Sequence, residues 1–170
     1  GAGAYGFILE TGSVLDNYGL LSLNGKGTAV YSAGANTVNN YAGADINMSG
    51  DSNIGIFMVS GGTANNAADI NGTAGKSNIG IYNKNGTITN TGTDGSVDYD
   101  NSGYAVGIYG DGSYINNTGA INIGENGIGL YTRNNPVSVV NQGNITGTGK
   151  GAVGLFVDNG TVENALGTTI

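Results

Sequence analysis

The chain repeats itself once every 22 to 27 residues. "NIGIYNKNGTITNTGT" from Asn78 is followed by "AVGIYGDGSYINNTGA" from Ala105, "GIGLYTRNNPVSVVNQGN" from Gly127 and "AVGLFVDNGTVENALG" from Ala152. Self-similarity at a fixed period constrains the fold more than any single motif, because each unit must set like residues in like places. The residue after each Gly–aliphatic pair falls at Ile8, Tyr31, Phe57, Tyr82, Tyr109, Tyr131 and Phe156, with spacings of 23, 26, 25, 27, 22 and 25. A second marker falls at Asp16, Asn40, Asn66, Asn90, Asn117, Asn141 and Asn164, two residues after Val14, Val38, Ala64, Ile88, Ile115, Val139 and Val162. A third burst follows as "LLSL" from Leu20, "DINM" from Asp45, "VDYD" from Val97, "INI" from Ile121 and "NIT" from Asn144.

Each unit therefore holds three short strands separated by Gly/Asn turns. Ordinary antiparallel hairpins do not explain a period this long. The pattern predicts an all-β fold, a right-handed parallel β-helix with three strands per coil and about seven coils of about 25 residues. Coils stacked about 4.8 Å apart would span roughly 34 Å. The six-residue period of the left-handed hexapeptide helix is absent, as is the calcium-binding nonapeptide.

Composition supports this and excludes several functions. With 34 Gly and 25 Asn the chain could pass for low complexity, but it has a single Pro, Pro136, and 38% apolar residues in alternating bursts. The whole of 1–170 reads as a single β-helix segment. It begins "GAGAYG" inside the repeat, so it is expected to be an excised or mature piece of something longer. Net charge is −7 with five basic residues, which argues against nucleic acid and against an anionic membrane surface. No segment reaches the roughly 20 apolar residues of a membrane span, so direct insertion is not expected. The absence of Cys and His removes thiol nucleophiles, disulfides and the usual zinc sites.

In a stacked coil, equivalent residues lie above one another. Asn suits such a column because its amide donates to one neighbour and accepts from the other, so a buried corner satisfies itself. Asp16, Asn40, Asn66, Asn90, Asn117, Asn141 and Asn164 are therefore expected to form a structural ladder. Lys26, Asp51, Lys76, Asn101, Glu125 and Lys150 form another column, with charges that largely alternate. It reads as register control and solubility, since exposed pairs contribute only about 0–1 kcal/mol each.

Strand periodicity places Ile79 and Ile81 on one face and Gly80 and Tyr82 on the other. The same split recurs in Val106/Ile108 against Gly107/Tyr109, Ile128/Leu130 against Gly129/Tyr131 and Val153/Leu155 against Gly154/Phe156. Aliphatics lining the core would leave an outward aromatic stripe of Tyr31, Phe57, Tyr82, Tyr109, Tyr131 and Phe156 beside a column of Gly. The rival geometry bends the strand and turns the rings inward. An outward stripe would be the candidate binding surface: a shield for the sheet, a contact for a partner protein or neighbouring rod, or a platform for sugar rings.

Chemistry is sparse. The densest carboxylates are Asp94, Asp98 and Asp100; "DYDNSG" from Asp98 fails as a calcium loop because its twelfth position is Tyr109. Lyase chemistry needs carboxylates beside a base, and the only Arg, Arg133, lies in a different coil. The glycines of "GENGIG" and "GDGSYIN" lack a strand–helix setting. Asn71-Gly-Thr73 and Asn159-Gly-Thr161 follow from composition. No catalytic residue, metal or cofactor is expected, and the chain is read as a non-enzyme.

"GIYNKNGTITNTG" and "GIGLYTRNNPVSVVNQGNITGTGKGAVGLF" resemble the β-helical passenger repeats of type V autotransporter adhesins, above all the large outer-membrane adhesins of fusobacteria. That resemblance implies an extracellular rod on the bacterial outer-membrane surface, attaching to host cells or other bacteria through surface proteins or glycans. It transfers no binding residue. The alternatives are a carbohydrate-active β-helix, lyase-like or phage-tailspike-like, and a self-assembling extracellular filament module with end-to-end or lateral self-association.

Overall fold

The computed structural model describes residues 3–91, 97–99, 105–135 and 138–169. Their twenty strands stack into three parallel sheets. The first sheet stacks Ala4–Leu9, Gly27–Ser32, Ile54–Met58, Ile79–Lys84, Val106–Asp111, Ile128–Arg133 and Val153–Asp158. The second stacks Val14–Asn17, Thr37–Asn40, Thr63–Asn66, Thr87–Asn90, Tyr114–Asn117, Ser138–Asn141 and Thr161–Asn164. The third stacks Leu21–Asn24, Ile46–Ser49, Ile70–Ala74, Val97–Tyr99, Ile121–Ile123 and Ile145–Gly147. The chain is thus a parallel β-solenoid of six complete turns and two strands of a seventh, slightly fewer than the seven coils read from the repeat.

Each strand is only three to six residues long, so it sends only a few side chains inward. Those side chains superpose from turn to turn. Val38, Ala64, Ile88, Ile115 and Val139 form one inner column, each no more than 1% exposed. Val30, Ile56, Ile81, Ile108 and Leu130 form a second. Ile46, Ile70, Ile121 and Ile145 form a third, and the three columns meet in one core. A thin core of β-branched side chains on a parallel sheet is what short apolar bursts can build.

The asparagine ladder runs the length of this core. Each Nδ2 donates to the Oδ1 one turn on: Asn17 to Asn40 at 2.7 Å, Asn40 to Asn66 at 2.8 Å and Asn66 to Asn90 at 2.8 Å. It continues from Asn90 to Asn117 at 2.8 Å, Asn117 to Asn141 at 2.7 Å and Asn141 to Asn164 at 2.7 Å. The same Nδ2 also donates to the carbonyl two residues on, as Asn66 does to Ala68, Asn117 to Gly119 and Asn141 to Gly143. That second bond closes the turn. In the last case Gly is required, because a Cβ on Gly143 would collide with the Gly119 carbonyl below.

Asp16 does not belong to this column. The register pairs Leu15 with Val38, Asp16 with Asn39 and Asn17 with Asn40, so the first rung is Asn17. Val14, taken from the sequence as the inner residue, is 63% exposed. One residue of slip moves a strand's side chains to the opposite face. Asp16 instead heads a short outer ladder, accepting from Asn39 Nδ2 at 2.8 Å, while Asn39 Oδ1 accepts from Asn65 Nδ2 at 2.8 Å. Replacing Asn17 by Ala is expected to cost about 1–3 kcal/mol. Asp16→Ala, at an exposed pair, is expected to cost less than about 1 kcal/mol. Urea-unfolding midpoints of the two variants measure the difference.

The charged corner column keeps its register where it is described. Ser52 N–H donates to the Lys76 carbonyl and Asn126 N–H to the Lys150 carbonyl. Asp51 there accepts the backbone N–H of Lys76 at 2.7 Å, a side-chain-to-backbone clasp rather than charge pairing alone. Asn101 lies outside the described residues.

Candidate functional site

The outer face of the first sheet holds the side chains with the most chemistry. Its strands kink at a Gly. Pairing runs Ile79 to Val106 and resumes at Ile81 to Ile108, past Gly80 and Gly107. A Cβ on Gly107 would stand 2.6 Å from the Gly129 carbonyl and 2.8 Å from Cγ2 of core Ile121, and one on Gly129 would collide with Ile145. These glycines therefore face the core. This corrects the face assignment read from strand alternation: Gly80 and Ile81 both turn inward, whereas Ile79 is half-buried on the outside. A strict period of two cannot hold through a kink that places two successive residues on one side.

Three columns consequently line the outer face. The first is aliphatic, with half-buried Ile54, Ile79, Val106 and Ile128, and with Val153 37% exposed. The second is aromatic. Tyr31, Phe57, Tyr82, Tyr109 and Tyr131 are half-buried and Phe156 is 45% exposed, so the stripe faces outward as the sequence suggested. Successive rings touch edge to face, at centroid separations of 5.8 Å (Tyr31–Phe57), 5.0 Å (Phe57–Tyr82), 4.9 Å (Tyr82–Tyr109) and 5.0 Å (Tyr131–Phe156). Tyr109 and Tyr131 stack at 4.5 Å with 25° between planes. Tyr5, which the repeat register does not mark, extends the column by an edge contact at 5.5 Å to Tyr31, while Ile8 stands in the register position. Pairs of this kind contribute about 0.5–1.5 kcal/mol each beyond their burial.

The third column is charged: Lys84 pairs in register with Asp111, Asp111 with Arg133, and Arg133 with Asp158. Arg133 Nε lies 3.6 Å from Asp111 Oδ1. Arg133 Nη1 donates to the Tyr109 hydroxyl at 3.4 Å, and Asn134 Nδ2 donates to Asp111 at 2.9 Å. Burial, and after it the Asp111 charge, pushes the Tyr82 hydroxyl above its ordinary pKa. Burial also raises Tyr109, with Arg133 acting in the opposite direction. The Tyr109 hydroxyl, ahead of Asp111, raises Arg133.

Reading the carboxylates by sequence proximity missed this cluster, because its members come from successive coils; the recurring spacing of Asp111, Arg133 and Asp158 was the available signal. Asp94 and Asp100 lie outside the described residues, and the Asp98 backbone pairs with Asn71 and Asn122. Also missed was a polar corner within the solenoid, where Asn36 Nδ2 donates to Ser32 Oγ at 2.8 Å and Asn135 Nδ2 to Thr132 Oγ1 at 3.1 Å. Elsewhere, Tyr18 and Tyr41 stack at 4.5 Å with parallel planes. A hydrogen-bond interaction with Tyr18, then desolvation and the nearby Asp16, push the Tyr41 hydroxyl up to about 12. Among the described residues no three His, Cys, Asp or Glu side chains gather as a metal site.

The stacked parallel sheets, inner amide ladder and ringed outer face define a parallel β-helix. The chain belongs to the BigA third pectate lyase-like domain family, whose model it matches over residues 1–167. No curated protein and no solved structure matches it.

Proposed function

We propose that the chain is a non-catalytic rod segment of a secreted bacterial surface adhesin, an autotransporter passenger that spaces and attaches the cell to host or bacterial surfaces. The observation that carries this reading is the uninterrupted ladder from Asn17 to Asn164, which stiffens one continuous axis. The aromatic stripe supplies an exposed surface for a protein or glycan along that axis. Membership of a family of surface-protein β-helices supports the extracellular location.

Saturable binding of the purified chain to host cells, bacterial cells or immobilised glycans is the expected result. Tyr131→Ala combined with Phe156→Ala should weaken it about tenfold or more, as for loss of central aromatic anchors. Undiminished binding in that variant would remove the stripe from the adhesive role.

One observation favours a carbohydrate-active reading next: Asp111 and Arg133 bring a carboxylate and a guanidinium together beside Tyr109. Both groups are already engaged, Asp111 by Asn134 and Arg133 by Tyr109. Incubation with polyuronic acids is expected to give no unsaturated product. Product formation that Arg133→Ala abolishes would replace the rod reading with an enzymatic one.

A further inference from the structure

We propose that the outer face of the first sheet is a self-complementary surface on which a second copy of this chain docks laterally and antiparallel. The charged column reads plus, minus, plus, minus along the axis, as Lys84, Asp111, Arg133 and Asp158 on four successive turns. Reversed against itself, that order sets Lys84 against the second copy's Asp158, and Asp111 against its Arg133. The symmetry element is a two-fold axis lying along the strands, between the turns of Asp111 and Arg133. Such an axis keeps every column opposite itself, as an isologous interface requires. It sets Tyr109 against Tyr131 and Tyr82 against Phe156, with Val106 against Ile128 in the aliphatic column.

Other arrangements fail on the same residues. Two copies side by side and parallel, related by a two-fold along the rod, would lay the charged column of one on the aliphatic column of the other. Full antiparallel overlap of all seven turns would centre the axis on the fourth and press Lys84 against its own symmetry mate. Unlike charges opposed at matched positions raise specificity, and like charges opposed exclude a register. Asp111 is largely covered by its own Arg133 and Asn134, so the middle of the strip is locally neutral. Exposed Lys84 and Asp158 carry the discrimination.

Four turns at about 4.8 Å and a six-residue strand at about 3.3 Å per residue give roughly 20 Å by 20 Å, or about 400 Å² on each copy. A total of about 800 Å² lies below the roughly 1,200 Å² of stable complexes, so the pair is weak, with a Kd of roughly 10–1000 µM. On the surface-rod reading above, the antiparallel sense is that of two rods projecting from facing cells; the pairing itself does not depend on that reading.

Sedimentation equilibrium over this concentration range tests the pairing. The wild-type chain should approach twice its monomer mass. Lys84→Asp sets acid against Asp158, and Asp158→Lys sets base against Lys84, so each variant alone should bind itself at least about tenfold more weakly while keeping its melting temperature. Mixed in equal amounts, the two should pair with each other as well as the wild type does, because every outer contact is again plus against minus. As an off-strip control, Asp158→Lys combined in one chain with Lys150→Asp, a reversal on a different corner that restores the net charge, should associate no better than Asp158→Lys alone. The proposal is overturned by a wild type that stays monomeric, by association that both single variants leave intact, by a mixture no better than its components, or by recovery in the off-strip control.

Discussion

Replacing Asn117 by Ala should lower the melting temperature by roughly 5–15 °C. Asn117 is fully buried and joins three partners: its Oδ1 accepts from Asn90 at 2.8 Å, and its Nδ2 donates to Asn141 at 2.7 Å and to the Gly119 carbonyl at 3.0 Å. Ala leaves the Asn90 amide donor, the Asn141 amide oxygen and the Gly119 carbonyl short of a bond in a place water does not reach. Each such group costs about 1–3 kcal/mol, only partly relieved by relaxation, and 1 kcal/mol moves the midpoint of a chain this long by about 2–4 °C. Asn117→Asp should be no better, since a carboxylate accepts where Asn141 and Gly119 need a donor. Calorimetry of the three proteins measures both effects. A midpoint unchanged in Asn117→Ala would mean that the ladder is not what holds the turns in step.

Gly129→Val should be at least as damaging, at more than about 3 kcal/mol, and should lower the yield of folded protein. The first added carbon already collides with Ile145 and stands 2.7 Å from the Gly154 carbonyl, and neither the core nor the neighbouring backbone can retreat without breaking sheet pairing. Ile128→Ala, one residue away, should cost no more than about 1.5 kcal/mol because Ile128 is half-buried on the outside. The two midpoints in guanidinium therefore report which way the kinked strand faces. The opposite ranking would restore the simple alternation that the sequence suggests.

Those two sites show where the sequence was readable. The turn-to-turn repeat is a matter of counting, so the parallel stacking, the three strands per turn and the Asn column from Asn40 to Asn164 could all be read before any coordinates. Asp16 could not be placed, because "LDN" offers two polar residues in succession and the flanking Val14 and Leu15 are both apolar. Only the hydrogen-bond register, which sets Leu15 over Val38, decides between Asp16 and Asn17. The Gly80 column misled for a related reason: alternation assumes an even pleat, and a residue without a side chain gives no sign of which way it points. The Arg133–Asp111 contact was hidden because residues 22 positions apart become neighbours only once the turn length is known at that point, and the turns vary from 23 to 27 residues along the ladder.

All six inner amide contacts point the same way, each Nδ2 towards the Oδ1 of the following turn. Every joint between turns is therefore interchangeable with every other. If a stretch of gene encoding one whole circuit were copied or lost, the amides on either side of the cut would meet as they did before. Reach can thus change in steps of about 4.8 Å while the cross-section of the rod and its rules of assembly stay the same.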